Sequence, residues 1–218
     1  MLITDLALAQ LCDDLYQDRS SNFDVIDPGL DDRICWAMHR TEDEDVIVLR
    51  GSVTPSDWIL DSMASPCPDR RFGYVHHGFL IGLDHAWEDM RIVLRPDRPT
   101  VITGHSLGAA RASILTGIML ADNRAPSRRV VFGEPKPGFA NLAQYIKDVP
   151  ARSYRTGRNE AHDLVTDIPF TMPHVGLNYV HPVPLSLLNV TPDPTDQSGI
   201  FVYHHIGLYV TGLKGEHA

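Results

Sequence analysis

The sequence predicts a single α/β domain with a mostly parallel central sheet and helices on both of its faces. Strand-like and helix-like segments alternate through the middle of the chain, which is typical of β-α-β units and a parallel sheet. The chain has 218 residues, of which 43% are apolar, and this is enough for one domain with a sizeable core. No repeat, linker or low-complexity tract divides residues 1–218, so we expect one domain over the whole sequence.

The first elements follow from the spacing of apolar residues. Leucines at near-helical spacing predict an amphipathic helix over residues 3–17. Short apolar runs at 34–39 and 45–49 predict two strands. From residue 78 to residue 94, apolar side chains recur every three or four positions, which predicts one helix that Pro96 ends.

The alternation that predicts the parallel sheet lies between residues 100 and 149. Residues 100–103 are rich in β-branched side chains and predict a strand that is buried on both faces. Residues 107–121 are rich in Ala, Leu and Ile and predict a helix. A strand at 129–132 and a helix at 138–149 continue the pattern.

Composition and charge exclude several classes of function. Asp and Glu outnumber Lys and Arg by 28 to 19, and the net charge of −9 argues against a nucleic-acid partner. No apolar run approaches the ~20 residues of a membrane span, so we expect no stable membrane insertion. The N terminus carries no visible signal peptide, and the sequence predicts neither a compartment nor an oligomeric state. The 3 cysteines are widely spaced, which predicts reduced thiols.

One segment has the residues that nucleophilic catalysis requires. Residues 104–108 are Gly-His-Ser-Leu-Gly, between a predicted strand and a predicted helix, and Gly-x-Ser-x-Gly in this context is typical of a nucleophile elbow. The flanking glycines allow two backbones to approach in a strained turn. Ser106 also precedes a helix N terminus, which stabilises an oxyanion. The alternative is an ordinary helix N-cap, a role that serine also favours.

Five segments in the same order resemble motifs of the class 3 lipases, α/β-hydrolases typified by the small fungal triacylglycerol lipases. They are Leu-Arg-Gly-Ser at 49–52, Val-His-His-Gly-Phe at 75–79, Gly-His-Ser-Leu-Gly at 104–108, Phe-Gly-Glu-Pro at 132–135 and Asn-Glu-Ala-His-Asp at 159–163. The resemblance extends over residues 45–213. It implies a single-domain α/β-hydrolase fold and a carboxylic ester hydrolase that needs no cofactor and no metal.

The resemblance also implies a catalytic acid and a catalytic base downstream of Ser106, because α/β-hydrolases follow the order Ser, acid, His. It selects Asp163 as the acid, with Asp167 as the rival. The family pattern H-x-Φ-x-x-Y-Φ-x-x-L, where Φ is apolar, is matched when it is counted from His204 and fails at the fifth position after His205. His204 is therefore the predicted base and His205 its rival.

Two further donors are implied for the oxyanion hole. One is the backbone N–H of Leu107, directly after the nucleophile. The other is the backbone of Ser52, helped by its hydroxyl, although a turn at the end of a strand is the alternative for this residue. The resemblance also indicates that His76 and His105 order loops by hydrogen bonds and transfer no proton.

The expected substrate is a small-molecule ester or a lipid. Residues 53–74 occupy the place of the family's lid, but Pro66 and Pro68 leave room for about two helical turns. We therefore expect a short or absent lid, a preference for soluble or short-to-medium acyl esters, and only transient contact with a lipid surface.

Three alternatives remain open. A phospholipase or an acyltransferase would use the same triad, whereas a binding protein of the same fold would use none of it. A metal hydrolase is suggested only by the 11 histidines. A metal site at His204 and His205 is disfavoured, because neighbours in sequence point to different faces and no zinc-site spacing accompanies them.

Overall fold

The computed structural model describes residues 2–29, 34–52, 65–169, 171, 173 and 176–216. The described strands are β1 (Val25–Asp27), β2 (Trp36–Arg40), β3 (Asp45–Leu49), β4 (Pro66–Asp69), β5 (Gly73–His76), β6 (Thr100–His105), β7 (Arg128–Phe132), β8 (Gly138–Phe139), β9 (Ala151–Arg158), β10 (Ala161–His162), β11 (Tyr179–Val180) and β12 (Leu185–Asn189). The described α-helices are α1 (Asp5–Tyr16), α2 (His77–Leu80), α3 (Leu83–Val93), α4 (Leu107–Ala121), α5 (Ala140–Tyr145) and α6 (Ile206–Glu216).

The main sheet is mostly parallel, as the sequence predicts. Its strands β3, β6, β7, β9 and β12 pair in parallel, while β1, β2 and β10 add antiparallel pairs at its ends. Every residue of β3 and of β6 is buried, because a parallel sheet is covered on both faces. The strands β6 and β7 and the helix α4 therefore form a rigid support for the turn at Ser106.

Helices cover both faces of the main sheet, which confirms the predicted α/β architecture. On one face, α1 and α6 pack against each other, and their apolar side chains share a core with Val48 and Phe132. On the other face, α4 packs against β3, β6 and β7, and α2, α3 and α5 complete a second core around it. The two layers place α1 and α6 beside the elbow on the face opposite α4.

A small antiparallel sheet in the order β11-β8-β5-β4 is absent from the sequence prediction. The predicted helix over 138–149 is wrong at its start, because Gly138 and Phe139 form β8 and α5 spans only 140–145. A Cβ at Gly138 would lie 2.9 Å from the carbonyl oxygen of Tyr74. Close pairing of β8 with β5 therefore requires glycine at this position.

The predicted helix over 78–94 is two helices. The break is at Ile81 and Gly82, and Gly82 has a φ of +81°, a left-handed conformation that glycine adopts without a steric penalty. The apolar spacing continues across the break, so Phe79, Leu83 and Met90 all lie in the same core. Periodicity alone therefore could not reveal the break.

Two further findings concern membranes and thiols. Within the part of the chain that the structure describes, no helix has both the length and the apolar character required to cross a membrane. Cys12, Cys35 and Cys67 are free thiols. Burial raises the pKa of the Cys12 thiol to about 12, so this side chain acts as a small apolar group of the core.

Candidate active site

Ser106 lies in a strained turn between β6 and α4. Its φ of 60° and ψ of −130° are rare for a residue with a Cβ. Two glycines make the turn possible, because a Cβ at Gly104 would lie 2.5 Å from the carbonyl oxygen of Gly108, and a Cβ at Gly108 would lie 2.1 Å from that of Leu49. The Ser106 side chain makes no capping hydrogen bond to α4. This argues against the N-cap alternative for its hydroxyl.

Asp163 and His204 form a buried pair. The distance between His204 Nδ1 and Asp163 Oδ2 is 2.7 Å, and both residues are buried. Because Nδ1 donates to the carboxylate, the other ring nitrogen, Nε2, is the basic one in the neutral imidazole. Among the described residues, neither His204 Nε2 nor Ser106 Oγ has a hydrogen-bond partner, and both atoms are buried.

Two more donors hold the Asp163 carboxylate. The Tyr209 hydroxyl donates to Oδ2 at 2.5 Å, and the Val165 N–H donates to Oδ1 at 2.9 Å. Burial alone would raise the pKa of Asp163, but His204 and the Tyr209 hydroxyl outweigh it and hold the pKa below its ordinary value. Asp163 is therefore ionised at neutral pH, as the partner of an imidazolium must be.

The two rival residues have other partners. Asp167 accepts from His162 Nε2 at 2.7 Å and lies 3.5 Å from an Arg155 nitrogen, on the surface of the molecule. The exposed His205 contacts Asp196 at 3.0 Å through its Nε2. The structure thus brings Asp163 together with His204 and places Asp167 and His205 in separate surface pairs.

The predicted oxyanion residues lie on both sides of the elbow. Leu107 is the first residue of α4, and its N–H therefore has no acceptor within the helix. Ser52 follows Gly51, where a Cβ would lie 2.9 Å from Ser106 Cβ. The chain that leaves β3 thus passes directly beside the candidate nucleophile, which brings Ser52 into its neighbourhood.

Sequence reasoning missed the structural roles of Gly133 and Tyr209. Gly133 follows β7 with a φ of 58°, and a Cβ there would lie 2.9 Å from both Asp163 Oδ2 and Tyr209 Oη. Gly133 was visible as part of the Phe-Gly-Glu-Pro segment, and Tyr209 as the tyrosine five positions after His204. Each signal placed the residue in a motif but did not show which side chains the residue contacts.

The loop that carries Gly133 is anchored by a buried carboxylate. Glu134 is fully buried and accepts hydrogen bonds from the hydroxyls of Ser113 and Ser153. Burial would raise the pKa of Glu134, but His181, Arg129 and Ser113 lower it below the ordinary value. A buried and ionised anchor therefore fixes the backbone beside Asp163.

The two histidines that the sequence assigned to loop ordering have different neighbours. His76 is buried in the small sheet and stacks on Phe79 at a ring-centroid distance of 4.1 Å. His105 is buried next to Ser106, and its Nε2 lies 2.8 Å from the carbonyl oxygen of His204. His105 therefore contacts the candidate base directly.

Some predicted features fall outside the described residues or at their margin. The lid segment over 53–74 is described only from residue 65, where β4 and β5 form an antiparallel hairpin; residues 53–64 lie outside the described part. In the described part of the chain, no group of three or more His, Cys, Asp or Glu residues is arranged to hold a metal ion.

Known proteins that are similar to this chain include several lipases. The curated lipase ZK262.3 of Caenorhabditis elegans is 27% identical over 169 residues, which are 73% of this chain and 46% of that protein. The chain thus spans about half the length of this relative. The Rhizomucor miehei triacylglyceride lipase structure has 19% identity and a TM-score of 0.71 over 84% of this chain and 79% of its own.

A second solved structure, of a triacylglycerol lipase whose catalytic centre is described as a serine protease triad, has 20% identity and a TM-score of 0.66. The match covers 89% of this chain and 78% of that one. These likenesses confirm the α/β-hydrolase fold. The model of the family "Lipase (class 3)" matches residues 46–172, and carboxylic ester hydrolysis, the enzyme class expected from the sequence, is that of this family. Because the match includes more than half of the 218 residues, the chain belongs to the class 3 lipase family.

Proposed function

We propose that the chain is a carboxylic ester hydrolase that uses Ser106, His204 and Asp163 as a catalytic triad. The observation that carries the proposal is the buried 2.7 Å contact between His204 Nδ1 and Asp163 Oδ2. The pair lies against Gly133, the residue after Phe132, whose carbonyl accepts from the N–H of the strained Ser106. A serine hydroxyl is a poor nucleophile until a base removes its proton, and this base needs a third group that fixes its tautomer.

The proposed reaction has two halves. Ser106 Oγ attacks the ester carbonyl carbon while His204 Nε2 accepts the hydroxyl proton, and Asp163 stabilises the resulting imidazolium. The tetrahedral intermediate collapses when the C–O bond to the alcohol breaks, and His204 returns the proton to the leaving alcohol. Water, deprotonated by His204, then attacks the acyl-enzyme, and the acid leaves as Ser106 regains its proton.

The negative oxygen of each tetrahedral intermediate needs preorganised donors. In this proposal the backbone N–H groups of Leu107 and Ser52 supply them, supported by the place of Leu107 at a helix N terminus and by the close approach of Gly51 to Ser106. Loss of one such donor typically costs about 10²- to 10³-fold in turnover.

The proposed substrates are soluble or short-to-medium acyl esters. Support comes from the described end of the lid segment, because residues 66–76 form a hairpin and leave less chain for a helical lid. We expect activity on nitrophenyl esters to follow the dissolved concentration of each ester through its solubility limit. A steep rise in rate above that limit for a long-chain ester would overturn this preference.

A fluorophosphonate that modifies activated serines tests the proposed mechanism. We expect one adduct per chain, localised to Ser106 by peptide mass spectrometry and absent in Ser106→Ala, with ester hydrolysis lost in parallel and insensitive to EDTA. Ser198→Ala is the matched control, because Ser198 Oγ lies 3.1 Å from Nε2 of the rival His205. Labelling that survives Ser106→Ala, or that disappears in Ser198→Ala, would refute the assignment.

Analysis of the reaction products, together with labelling, separates the remaining alternatives. A phospholipase would release a fatty acid from phospholipid at a rate comparable with that on simple esters. An acyltransferase would give acylated acceptor in place of free acid. A binding protein of this fold would show neither labelling nor turnover.

A further inference from the structure

A chain of hydrogen bonds beside the elbow takes part in none of the proposed catalytic steps. It begins at Tyr16, whose hydroxyl packs against Gly51: a Cβ at Gly51 would lie 2.2 Å from Tyr16 Oη. It continues from Tyr16 Oη to His105 Nδ1 at 3.2 Å and ends where His105 Nε2 meets the carbonyl oxygen of His204 at 2.8 Å. These contacts join the segment after β3, the last turn of α1 and the turn before α6.

The carbonyl oxygen of His204, at the end of this series of hydrogen bonds, fixes the direction of every bond in it. The carbonyl oxygen of His204 can only accept, so His105 Nε2 carries a proton and donates. In a neutral imidazole, Nδ1 is then an acceptor, and the Tyr16 hydroxyl must donate to it. Tyr16 Oη, the His105 ring and the carbonyl oxygen of His204 therefore form one continuous hydrogen-bonded chain with no reversed bond.

His105 stays neutral, as this arrangement requires. Burial and the neighbouring His204 lower the pKa of His105 to about 3. A protonated His105 would place a second cation beside the His204 imidazolium of the reaction and would give Nδ1 a proton in conflict with that of Tyr16. The neutral tautomer is therefore kept throughout the proposed cycle.

The contacts around the chain are close. A Cβ at Gly51 would lie 2.2 Å from Tyr16 Oη and 2.6 Å from the carbonyl oxygen of His105. The His105 ring lies 4.6 Å from the ring of His204 and 5.6 Å, edge to face, from that of Tyr16. Because interiors are close-packed, a shift of any of these groups displaces the others.

We propose that Tyr16 and His105 are positioning residues that hold the Ser52 side of the oxyanion hole in register with His204. Neither donates to or accepts from Ser106 Oγ or His204 Nε2, which have no hydrogen-bond partner among the described residues. Tyr16 acts on Ser52 through its close packing against Gly51, and His105 acts on the base through the backbone of His204. The proposal rests on the proposed function, and it adds a residue of the first helix to the determinants of turnover.

Tyr16→Phe tests the first half of this proposal, because it keeps the ring and removes only the hydroxyl. We expect kcat on a short ester to fall about 10-fold, less than for loss of a direct oxyanion donor, while KM stays within about twofold. Affinity for a boronic acid, which forms a tetrahedral adduct at the nucleophile, is expected to fall by the same factor as kcat.

Tyr154→Phe is the matched control. Tyr154 belongs to the same apolar core, and its ring stacks on Phe132. Its hydroxyl donates at 2.7 Å to Asp5, which lies at the opposite end of α1 from Tyr16. We expect Tyr154→Phe to lower the thermal unfolding midpoint by about as much as Tyr16→Phe does, and to leave kcat unchanged. If Tyr16 were only a structural residue, the two variants would share one relation between stability and kcat.

A double-mutant cycle tests whether Tyr16 and His105 act as one unit. His105→Asn keeps an acceptor near Tyr16 but loses the donor to His204, so we expect kcat to fall in this variant too. The double variant with Tyr16→Phe is expected to lose no more than the larger single loss. Losses in kcat that multiply would overturn the proposal.

One measurement needs no activity, so that failure of this proposal can be told from failure of the proposed function. Imidazole ¹⁵N spectra of the folded protein are expected to show His105 neutral with its proton on Nε2 from pH 5 to pH 9. In Tyr16→Phe the Nδ1 resonance is expected to shift. A proton on Nδ1, an unshifted resonance or a folded Tyr16→Phe with wild-type kcat would each overturn the proposal. A wild type with no esterase activity would refute the function itself.

Discussion

Two His–Asp pairs in this molecule have the same length and different surroundings. The distance between nitrogen and oxygen is 2.7 Å both in the pair of His204 with Asp163 and in the pair of His162 with Asp167. In the first pair the side chains are 4% and 0% exposed; in the second they are 28% and 38% exposed. Distance therefore does not distinguish a catalytic candidate from a surface ion pair, whereas burial does.

The pairs also differ in the nitrogen that they use. His204 contacts its carboxylate through Nδ1, which leaves the basic Nε2 for a nucleophile. His162 uses Nε2. Asp163 accepts further bonds from Tyr209 and Val165, so its orientation is fixed from several sides. The orientation and the desolvation of its imidazole therefore favour His204 over His162 as the base of the proposed triad.

The largest expected effect is the difference between the two histidines. His204→Ala is expected to lower kcat by at least about 10³-fold, because it removes the proposed acceptor of the Ser106 proton. His162→Ala, its control in the half-exposed pair, is expected to stay within about twofold. Steady-state kinetics on a soluble ester measure both. Equal losses in the two variants would contradict the comparison.

The two aspartates give the next largest difference. Asp163→Asn is expected to lower kcat by about 10³- to 10⁴-fold, because an amide at this position favours the wrong tautomer of His204. Asp167→Asn keeps the shape of the side chain in a half-exposed pair and is expected to leave kcat within about twofold. A folded Asp163→Asn that keeps wild-type turnover would remove Asp163 from the triad.

Tyr209→Phe tests the contribution of the Tyr209 hydroxyl to the buried pair through the pH dependence of stability. The pKa of Asp163 in the folded protein is below its ordinary value. The ionised carboxylate therefore contributes stability above the ordinary pKa, and this contribution is lost as the pH falls through the lower, folded pKa. Tyr209→Phe removes one interaction that lowers this pKa.

The cost of Tyr209→Phe in the free energy of unfolding is thus expected to be about 1–3 kcal/mol at pH 7 and to shrink towards pH 3. Urea unfolding of the wild type and the variant at a series of pH values measures it. A Tyr209→Phe cost independent of pH would contradict the role of its hydroxyl on Asp163.

The smallest effect is expected at the rival base. His205→Ala removes an exposed contact with Asp196, and such surface pairs contribute little to stability. We expect its kcat and its urea unfolding midpoint to be those of the wild type. A large loss of kcat in His205→Ala alone would move the base by one residue.

The sequence predicts best where the signal is local. The helix over 107–121 and the strand over 45–49 have the predicted bounds, because a long apolar helix and a buried β-branched run are each visible within one window. The elbow at Ser106 is equally local. The small sheet could not be predicted, because its strands have two to four residues and pair across long stretches of chain, as Tyr179 does with Phe139.

The residues of the candidate site also differ in whether a local pattern reveals them. Ser106, Asp163 and His204 were selected by motifs, since each lies in a short pattern with a family counterpart. Tyr16 and Gly133 contact the site only through the tertiary fold, and no spacing in the sequence brings α1 to the elbow. Physical contacts of this kind are visible only once the two layers of helices are placed on the sheet.

The central claim is that the buried pair of His204 and Asp163 activates Ser106, and the rate of fluorophosphonate labelling as a function of pH tests it most directly. We expect the rate in His162→Ala to equal that of the wild type at every pH. In His204→Ala we expect it to fall by at least about 10³-fold at every pH. A folded His204→Ala protein that is labelled at Ser106 at the wild-type rate would contradict the claim.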